Sequence, residues 1–185
     1  MDKFVRKTGF YLMTEKGFFV LQSFLRDFDK QNIEAVVIGR DKNVVNDYSE
    51  KIKKLCEQTN ISYYYRQDEY QFKANVIFAI SWRWIIKDFE NIIVLHDSLL
   101  PKYRGFSPLV NCLINGEKKV GVTALNASES YDCGDIIAQK ELDIDYPIKI
   151  YDAIQRISPL YYELIKDIAE IYFSGKELNS YPQDN

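Results

Sequence analysis

Two apolar runs, NVIFAISW at residues 75–82 and NIIVL at residues 91–95, decide how this chain folds. Each is about one strand long and rich in branched aliphatic side chains. Upstream, IEAVVIGR (33–40) reads as a further buried strand closed by a glycine, and GFYLM (9–13) as a short apolar run before Thr14-Glu15-Lys16-Gly17. Between them, Phe19, Val20, Phe24, Leu25 and Phe28 recur at helical spacing, and DYSEKIKKLCEQ (47–58) reads as a charged surface helix. ISYYYR (61–66), VGVTALNA (120–127) and IIAQKELDI (136–144) add strands. LVNCLING is a short helix closed by Gly116. Ile150, Ala153, Ile154, Ile157, Tyr161, Leu164, Ile165 and Ile168 form the apolar stripe of a last helix, with Pro159 marking a kink.

Strands alternating with helices predict an α/β, Rossmann-like three-layer domain with a mostly parallel sheet and helices on both faces. In such sheets ligands gather beyond the carboxyl ends of the strands, near the reversal of strand order. That rule points to three loops: Thr14–Gly17, Ser81–Ile86 and His96–Phe106. A histidine that directly follows IIVL is expected at the mouth of the sheet.

The whole chain, 185 residues, fits a single domain spanning 1–185. Its tail NSYPQDN is polar and reads as an end or a cut, so a missing C-terminal extension is expected. Apolar residues at 46% and charged residues at 28% exclude wholesale disorder. A net charge of −3, with no basic tract longer than Lys53-Lys54, argues against a nucleic-acid partner. Three cysteines (Cys56, Cys112, Cys133), odd in number and without CxxC spacing, suggest free thiols and a cytoplasmic location. No apolar run approaches the roughly 20 residues that span a bilayer, so no membrane is expected. The single histidine excludes any metal site needing two, and no metal is expected.

In HDSLLPKYRGFSP (96–108) an imidazole is followed by a hydroxyl, a turn fixed by Pro101, and Tyr103-Arg104-Gly105. Histidine is the side chain best suited to move a proton near neutral pH. Gly105 permits close backbone approach, and Arg104 offers a bidentate grip on phosphate or carboxylate. The same residues also make an ordinary surface turn. In ESYDCGDII (129–137) Asp132 and Asp135 flank Gly134; one could orient the imidazole, though Asp and Gly equally favour a hairpin-like turn. Ser98 lies too close in sequence to His96 for a serine triad, and there is no G-x-S-x-G elbow. The loop TEKG lacks the glycines of a dinucleotide or P-loop site. SWRWII sets two indoles and Arg83 after a strand, either as core and rim packing or as a flat wall for a ring.

HDSLLPKYRG followed by GVTALNASESYDCGDII resembles the catalytic domain of the folate-dependent formyltransferases, which carry Asn-x-His-x-Ser-Leu-Leu-Pro-x-x-Arg-Gly, then Gly-Val-Thr, then Asp-x-Gly-x-Ile. The likeness is strong over roughly residues 75–145. It implies transfer of a formyl group from 10-formyltetrahydrofolate to an amine, with His96 and Asp132 as the catalytic pair. Ser98, Lys102, Tyr103, Arg104, Gly105 and Phe106 are then expected to bind the amine substrate. Ser81, Trp82, Arg83, Trp84 and Gly134 are expected to meet the folate. Where the family has asparagine, two residues before the histidine, this chain has Val94. Losing one oxyanion donor typically costs about 2.7–4 kcal/mol.

The form HDSLLPKYRGF looks most like the sugar-nucleotide N-formyltransferases, which act on dTDP-linked amino sugars and usually continue past a segment like Gln183-Asp184. The absent glycine-rich phosphate loop counts against glycinamide ribonucleotide as substrate. The alternatives are a formyltransferase for another small amine, such as glycinamide ribonucleotide, and a catalytically weakened folate- or nucleotide-binding module, which Val94 raises. Aromatic residues, 15% of the chain, offer surface for base stacking and for a homodimer interface.

Overall fold

A computed structural model describes residues 6–86 and 89–184. Seven strands form one sheet: β1 (Thr8–Leu12), β2 (Ile33–Ile38), β3 (Tyr63–Tyr65), β4 (Ile77–Ile80), β5 (Ile92–His96), β6 (Lys119–Asn126) and β7 (Ile136–Asp143). Their order across the sheet is β3-β2-β1-β4-β5-β6-β7. The pairs from β3 through β5 are parallel, whereas β6 and β7 are antiparallel additions at one edge. This is the expected α/β, Rossmann-like, mostly parallel architecture.

Among the described residues four α-helices accompany the sheet: α1 (Thr14–Asp27), α2 (Ser49–Thr59), α3 (Pro108–Ile114) and α4 (Ile150–Phe173). Alternate strand residues sort the two faces, because successive side chains point to opposite sides. Phe10, Leu12, Val36, Ile38, Phe78, Ile80, Ile93 and Leu95 belong to one large apolar cluster, and all four α-helices contribute to it. Phe10 anchors that cluster, its ring edge-on to Phe24 of α1 at 5.1 Å and stacked with Phe78 of β4 at 5.7 Å. Pro159 lies within the continuous helix α4, on its exposed side.

The opposite face carries Ile77, Ala79, Ile92 and Val94, packed with Tyr11, Phe72, Trp82 and Ile86. Where the sequence suggested helices on both faces, irregular segments supply this covering among the described residues. A hydrophobic period shows that a helix has a buried side but carries no information on which face of the sheet receives it. Thr14–Gly17 also differs from expectation. It is not a loop but the first turn of α1, and Lys16 within it is buried.

The chain runs from β1 outward to β2 and β3, then returns beside β1 with β4 and proceeds to β5. The reversal therefore falls between β1 and β4. Their carboxyl ends meet through a hydrogen bond from Thr14 Oγ1 to Ser81 Oγ of 3.1 Å. No helix among the described residues is long and apolar enough to cross a membrane.

Candidate active site

A cleft of about 880 Å³ opens at this reversal point. Thr14 after β1, Ser81 and Trp82 after β4, and His96 at the end of β5 all line it, as do Asp132, Phe106 and Tyr131 from the neighbouring loops. Backbone geometry there is unusual: Thr14 (φ 64°), Ser81 (φ 55°), Ser107 (φ 53°) and Asp132 (φ 54°) lie in the left-handed region. For non-glycine residues such conformations cost of order 1–3 kcal/mol each and persist only where surrounding structure enforces them. Four of the eight left-handed non-glycine residues among the described residues thus line this one cleft.

His96 is 7% exposed. Its Nε2 lies 2.8 Å from the backbone carbonyl of Tyr103, and its Nδ1 lies 3.3 Å from Asp132 Oδ1. A carbonyl only accepts, so Nε2 carries a hydrogen in this arrangement. Nδ1 faces the Asp132 carboxylate at ion-pair distance. Asp132 completes the unit by accepting the Gly105 N–H at Oδ2, 2.9 Å. Gly105 sits at φ 90°, a conformation open to glycine, and this aims its N–H at the carboxylate.

Asp97, one residue beyond His96, takes no part in that pair. Its two carboxylate oxygens bind Lys16 of α1 and the Tyr161 hydroxyl of α4. The Lys16 ammonium also lies 5.3 Å above the Tyr161 ring. This ion pair pins the His96 loop to both helices. Neither Lys16 nor Tyr161 could be paired with Asp97 from sequence, since the contacts span 81 and 64 residues.

Of the residues expected to meet the folate, Ser81, Trp82, Arg83 and Trp84 line the cleft. Trp82 packs against Tyr11 (centroids 4.8 Å) and meets Trp84 edge-on at 5.1 Å. Arg83 forms a 2.7 Å ion pair with the buried Asp41. Gly134 does not line the cleft. A Cβ there would sit 1.8 Å from the Asn126 carbonyl oxygen, so glycine is required by the packing of this loop on β6.

Among the residues expected to bind the amine substrate, Gly105 and Phe106 line the cleft, and Phe106 is 89% exposed. The others do not. Ser98 is fully buried, donating to the Lys102 carbonyl at 2.7 Å and accepting at its own carbonyl from Thr123 Oγ1 at 2.6 Å. Lys102 and Tyr103 face a separate pocket of about 500 Å³, where both engage Glu117. Arg104 Nε donates to Gln183 Oε1 at 2.9 Å. These positions close the turn after His96 by hydrogen bonding, which explains their place in a long motif without placing them against a ligand. Thr14, at the head of a segment that the strand-end rule named, lines the cleft, and Glu129, Ser130 and Tyr131 line it without having been singled out from sequence.

A family model described as "Formyl transferase" matches residues 71–163, half of the chain. A methionyl-tRNA formyltransferase of Thermotoga neapolitana is 40% identical over 92 residues, which is 49% of this chain and 29% of that protein. One from Streptococcus pyogenes is 36% identical over 93 residues, 50% of this chain and 30% of that protein. The chain thus spans about three-tenths of the length of these relatives. Among solved structures, WlaRD, a sugar 3N-formyl transferase crystallised with dTDP and 5-N-formyl-THF, superposes with a TM-score of 0.81 at 21% identity, covering 99% of this chain and 68% of that one. The N-formyltransferase of Helicobacter canadensis, in complex with folinic acid and dTDP-3-aminofucose, gives 0.79 at 20% identity, with 97% and 68% covered. Glycinamide ribonucleotide transformylase 1 of Symbiobacterium toebii gives 0.75 at 14% identity, with 97% and 95% covered. At those identities the structural likeness is one of fold, whereas the sequence match spans the strands and loops that build the His96–Asp132 pair, and on it the chain belongs to the formyl transferase family.

Proposed function

We propose that this chain transfers a formyl group from 10-formyltetrahydrofolate to the amine of a nucleotide-linked, dTDP-linked for preference, amino sugar. The observation that carries the reading is the close His96–Asp132 pair, 3.3 Å apart, in a cleft at the strand reversal. The donor fits this lining: Ala79, Val94, Ile86, Leu125 and Ala127 give an apolar bed, and Trp82 and Trp84 an aromatic wall for a fused ring. When bound, the donor supplies an activated formyl carbon.

Attack by an amine places negative charge on the formyl oxygen and positive charge on the amine nitrogen. The His96 Nε2–H, released from the Tyr103 carbonyl, donates to that oxygen. Asp132, beside His96 and bonded to the Gly105 N–H, accepts the proton that the amine must shed and returns it to the departing folate nitrogen as that nitrogen's bond to the formyl carbon breaks, leaving the formamide and tetrahydrofolate. The His96 loop is pinned through Asp97 to Lys16 and Tyr161, and the Asp132 carboxylate is held by the Gly105 N–H, so little reorganisation is needed during reaction.

The sugar substrate is favoured by the HDSLLPKYRGF form of the motif and by the fold likeness to enzymes solved with dTDP or a dTDP-amino sugar. Glycinamide ribonucleotide is disfavoured because Lys16, the cation in the turn after β1, is committed to Asp97 and is not free to meet a phosphate. Incubating the protein with 10-formyltetrahydrofolate and a panel of dTDP-amino sugars, glycinamide ribonucleotide and methionyl-tRNA, with products read by mass spectrometry, tests this. A formamide product from a dTDP-amino sugar alone is expected. A folded protein that formylates none of the sugars would sink the reading.

A further inference from the structure

Gln183 lies far from the histidine in sequence, yet its side chain bonds the backbone of the loop that carries Asp132 and the arginine before Gly105. A bridge between Tyr181 and Ile136 brings it there: Ile136 N–H donates to the Tyr181 carbonyl at 2.8 Å, and Tyr181 N–H to the Ile136 carbonyl at 2.9 Å. Gln183 Nε2 then donates to the carbonyls of Asp132 (2.8 Å) and Gly134 (2.7 Å). Its Oε1 accepts from Arg104 Nε at 2.9 Å. The amide can sit only one way round, because carbonyls accept and a guanidinium donates. Both amide hydrogens and the oxygen are used.

These three bonds have a mechanical meaning. Asp132 is held at φ 54°, a conformation of order 1–3 kcal/mol above the relaxed chain that needs outside support. On one side, the loop is pressed against β6 at Gly134, where no Cβ fits. On the other side stands Gln183. Arg104, its third partner, directly precedes Gly105, whose N–H binds Asp132 Oδ2. One amide thus ties the backbone of Asp132 to the strand-end loop that supplies the other hydrogen bond to its carboxylate.

We propose that Gln183 is a positioning residue for the His96–Asp132 pair, clamping the Asp132 loop and the Arg104–Gly105 turn in register. The proposal rests on the reading of that pair as the formyl-transfer site. Because misplacement of a catalytic group by about 1 Å can reduce turnover on the order of 100-fold, losing the clamp is expected to act on kcat.

The test uses the fact that the chain has one histidine, so 15N-histidine labelling reports His96 alone. Gln183→Met removes all three bonds, and Gln183→Glu keeps the acceptor for Arg104 while losing both donors. Both variants are expected to change the His96 ring 15N resonances and to lower kcat about 10- to 100-fold with KM within twofold. Lys166→Ala, which breaks the remote 2.8 Å contact to Asp27, serves as the control and is expected to change neither. An unchanged ring resonance in folded Gln183→Met protein overturns the clamp, whatever the rate. A kcat retained within twofold overturns the positioning role. If the wild-type protein transfers no formyl group, the proposed function fails while the resonance still decides the clamp.

Discussion

Val94 and His96 leave β5 on the same face, two residues apart, and both line one cleft. Val94 stands in register between Ala79 of β4 and Leu125 of β6 and packs against apolar clusters on both sides. Its position beside the imidazole is where an amide donor to the formyl oxygen would be useful, but the local surroundings are hydrocarbon. Asn91 is exposed and Asn126 is absent from the cleft lining, so neither replaces the missing amide.

Val94→Asn should therefore trade stability for rate. An added oxyanion donor is worth about 2.7–4 kcal/mol in the transition state. Setting an amide among Ala79 and Leu125 without a ground-state partner costs about 1–3 kcal/mol of folding free energy. The expected outcome is a kcat at least tenfold higher, with a Tm several degrees lower. Steady-state kinetics and thermal melts on the two proteins check it; an unchanged kcat would mean that the oxyanion already has its donor elsewhere.

Asp132→Asn separates charge from shape. The amide oxygen can still accept the Gly105 N–H, but the amide nitrogen then points at His96 Nδ1 and can only donate to it. That arrangement permits a neutral ring with its hydrogen on Nε2, facing the Tyr103 carbonyl, and forbids the imidazolium. Folding should be little affected, while kcat drops by roughly 100- to 10,000-fold, the range for lost acid–base function. Matching melts together with steady-state rates decide the point, and retained turnover would remove Asp132 from the mechanism.

How far the sequence anticipated this structure depends on the range of the contact involved. NVIFAISW, NIIVL and IEAVVIGR became β4, β5 and β2 because a central strand is buried on both faces and its whole run is apolar. His96 at the sheet mouth followed from its position directly after such a run. TEKG, by contrast, offered no helix-start signal: Met13 makes no side-chain cap, and Lys16 looks like a solvated residue until Asp97 arrives from elsewhere in the chain. Ser98, Lys102 and Arg104 were legible as special but not as structural. Their partners are backbone carbonyls, Glu117 and Gln183, which no local pattern names. Gln183 itself required the Tyr181–Ile136 bridge before it could be seen near Asp132.

The Lys16–Asp97 pair should behave as a coupled, buried ion pair. Their side chains are 11% and 16% exposed, and the Tyr161 hydroxyl is the other partner of the carboxylate. Lys16→Met leaves Asp97 short of its counter-charge, for which breaking a buried pair suggests a loss of about 3 kcal/mol. Adding Asp97→Asn should recover part of that loss, since the uncompensated charge is then gone. Denaturant unfolding of the two single variants and the double variant closes the cycle. Strictly additive losses would show the pair to be uncoupled.

The three thiols should differ sharply in reactivity. Burial pushes Cys56 up to about 12 and Cys112 up to about 11, whereas Cys133 is exposed beside Asp132. At pH 8 the thiolate fraction is then about 10⁻⁴ for Cys56 and about 10⁻³ for Cys112, and only the thiolate is nucleophilic. Iodoacetamide at that pH should modify Cys133 alone in the folded protein and all three after unfolding, read by peptide mass spectrometry. Linkage gives the matching stability effect. A thiol raised from 9.0 in the unfolded chain to about 12 in the fold favours the folded state fully below pH 9, and that preference is lost as pH rises through about 12. Cys56→Ala should therefore lose less stability than wild type between pH 9 and 12 when melts are compared across that range. Equal alkaline slopes, or labelling of Cys56 in the native protein, would show that the site under α2 is open to solvent.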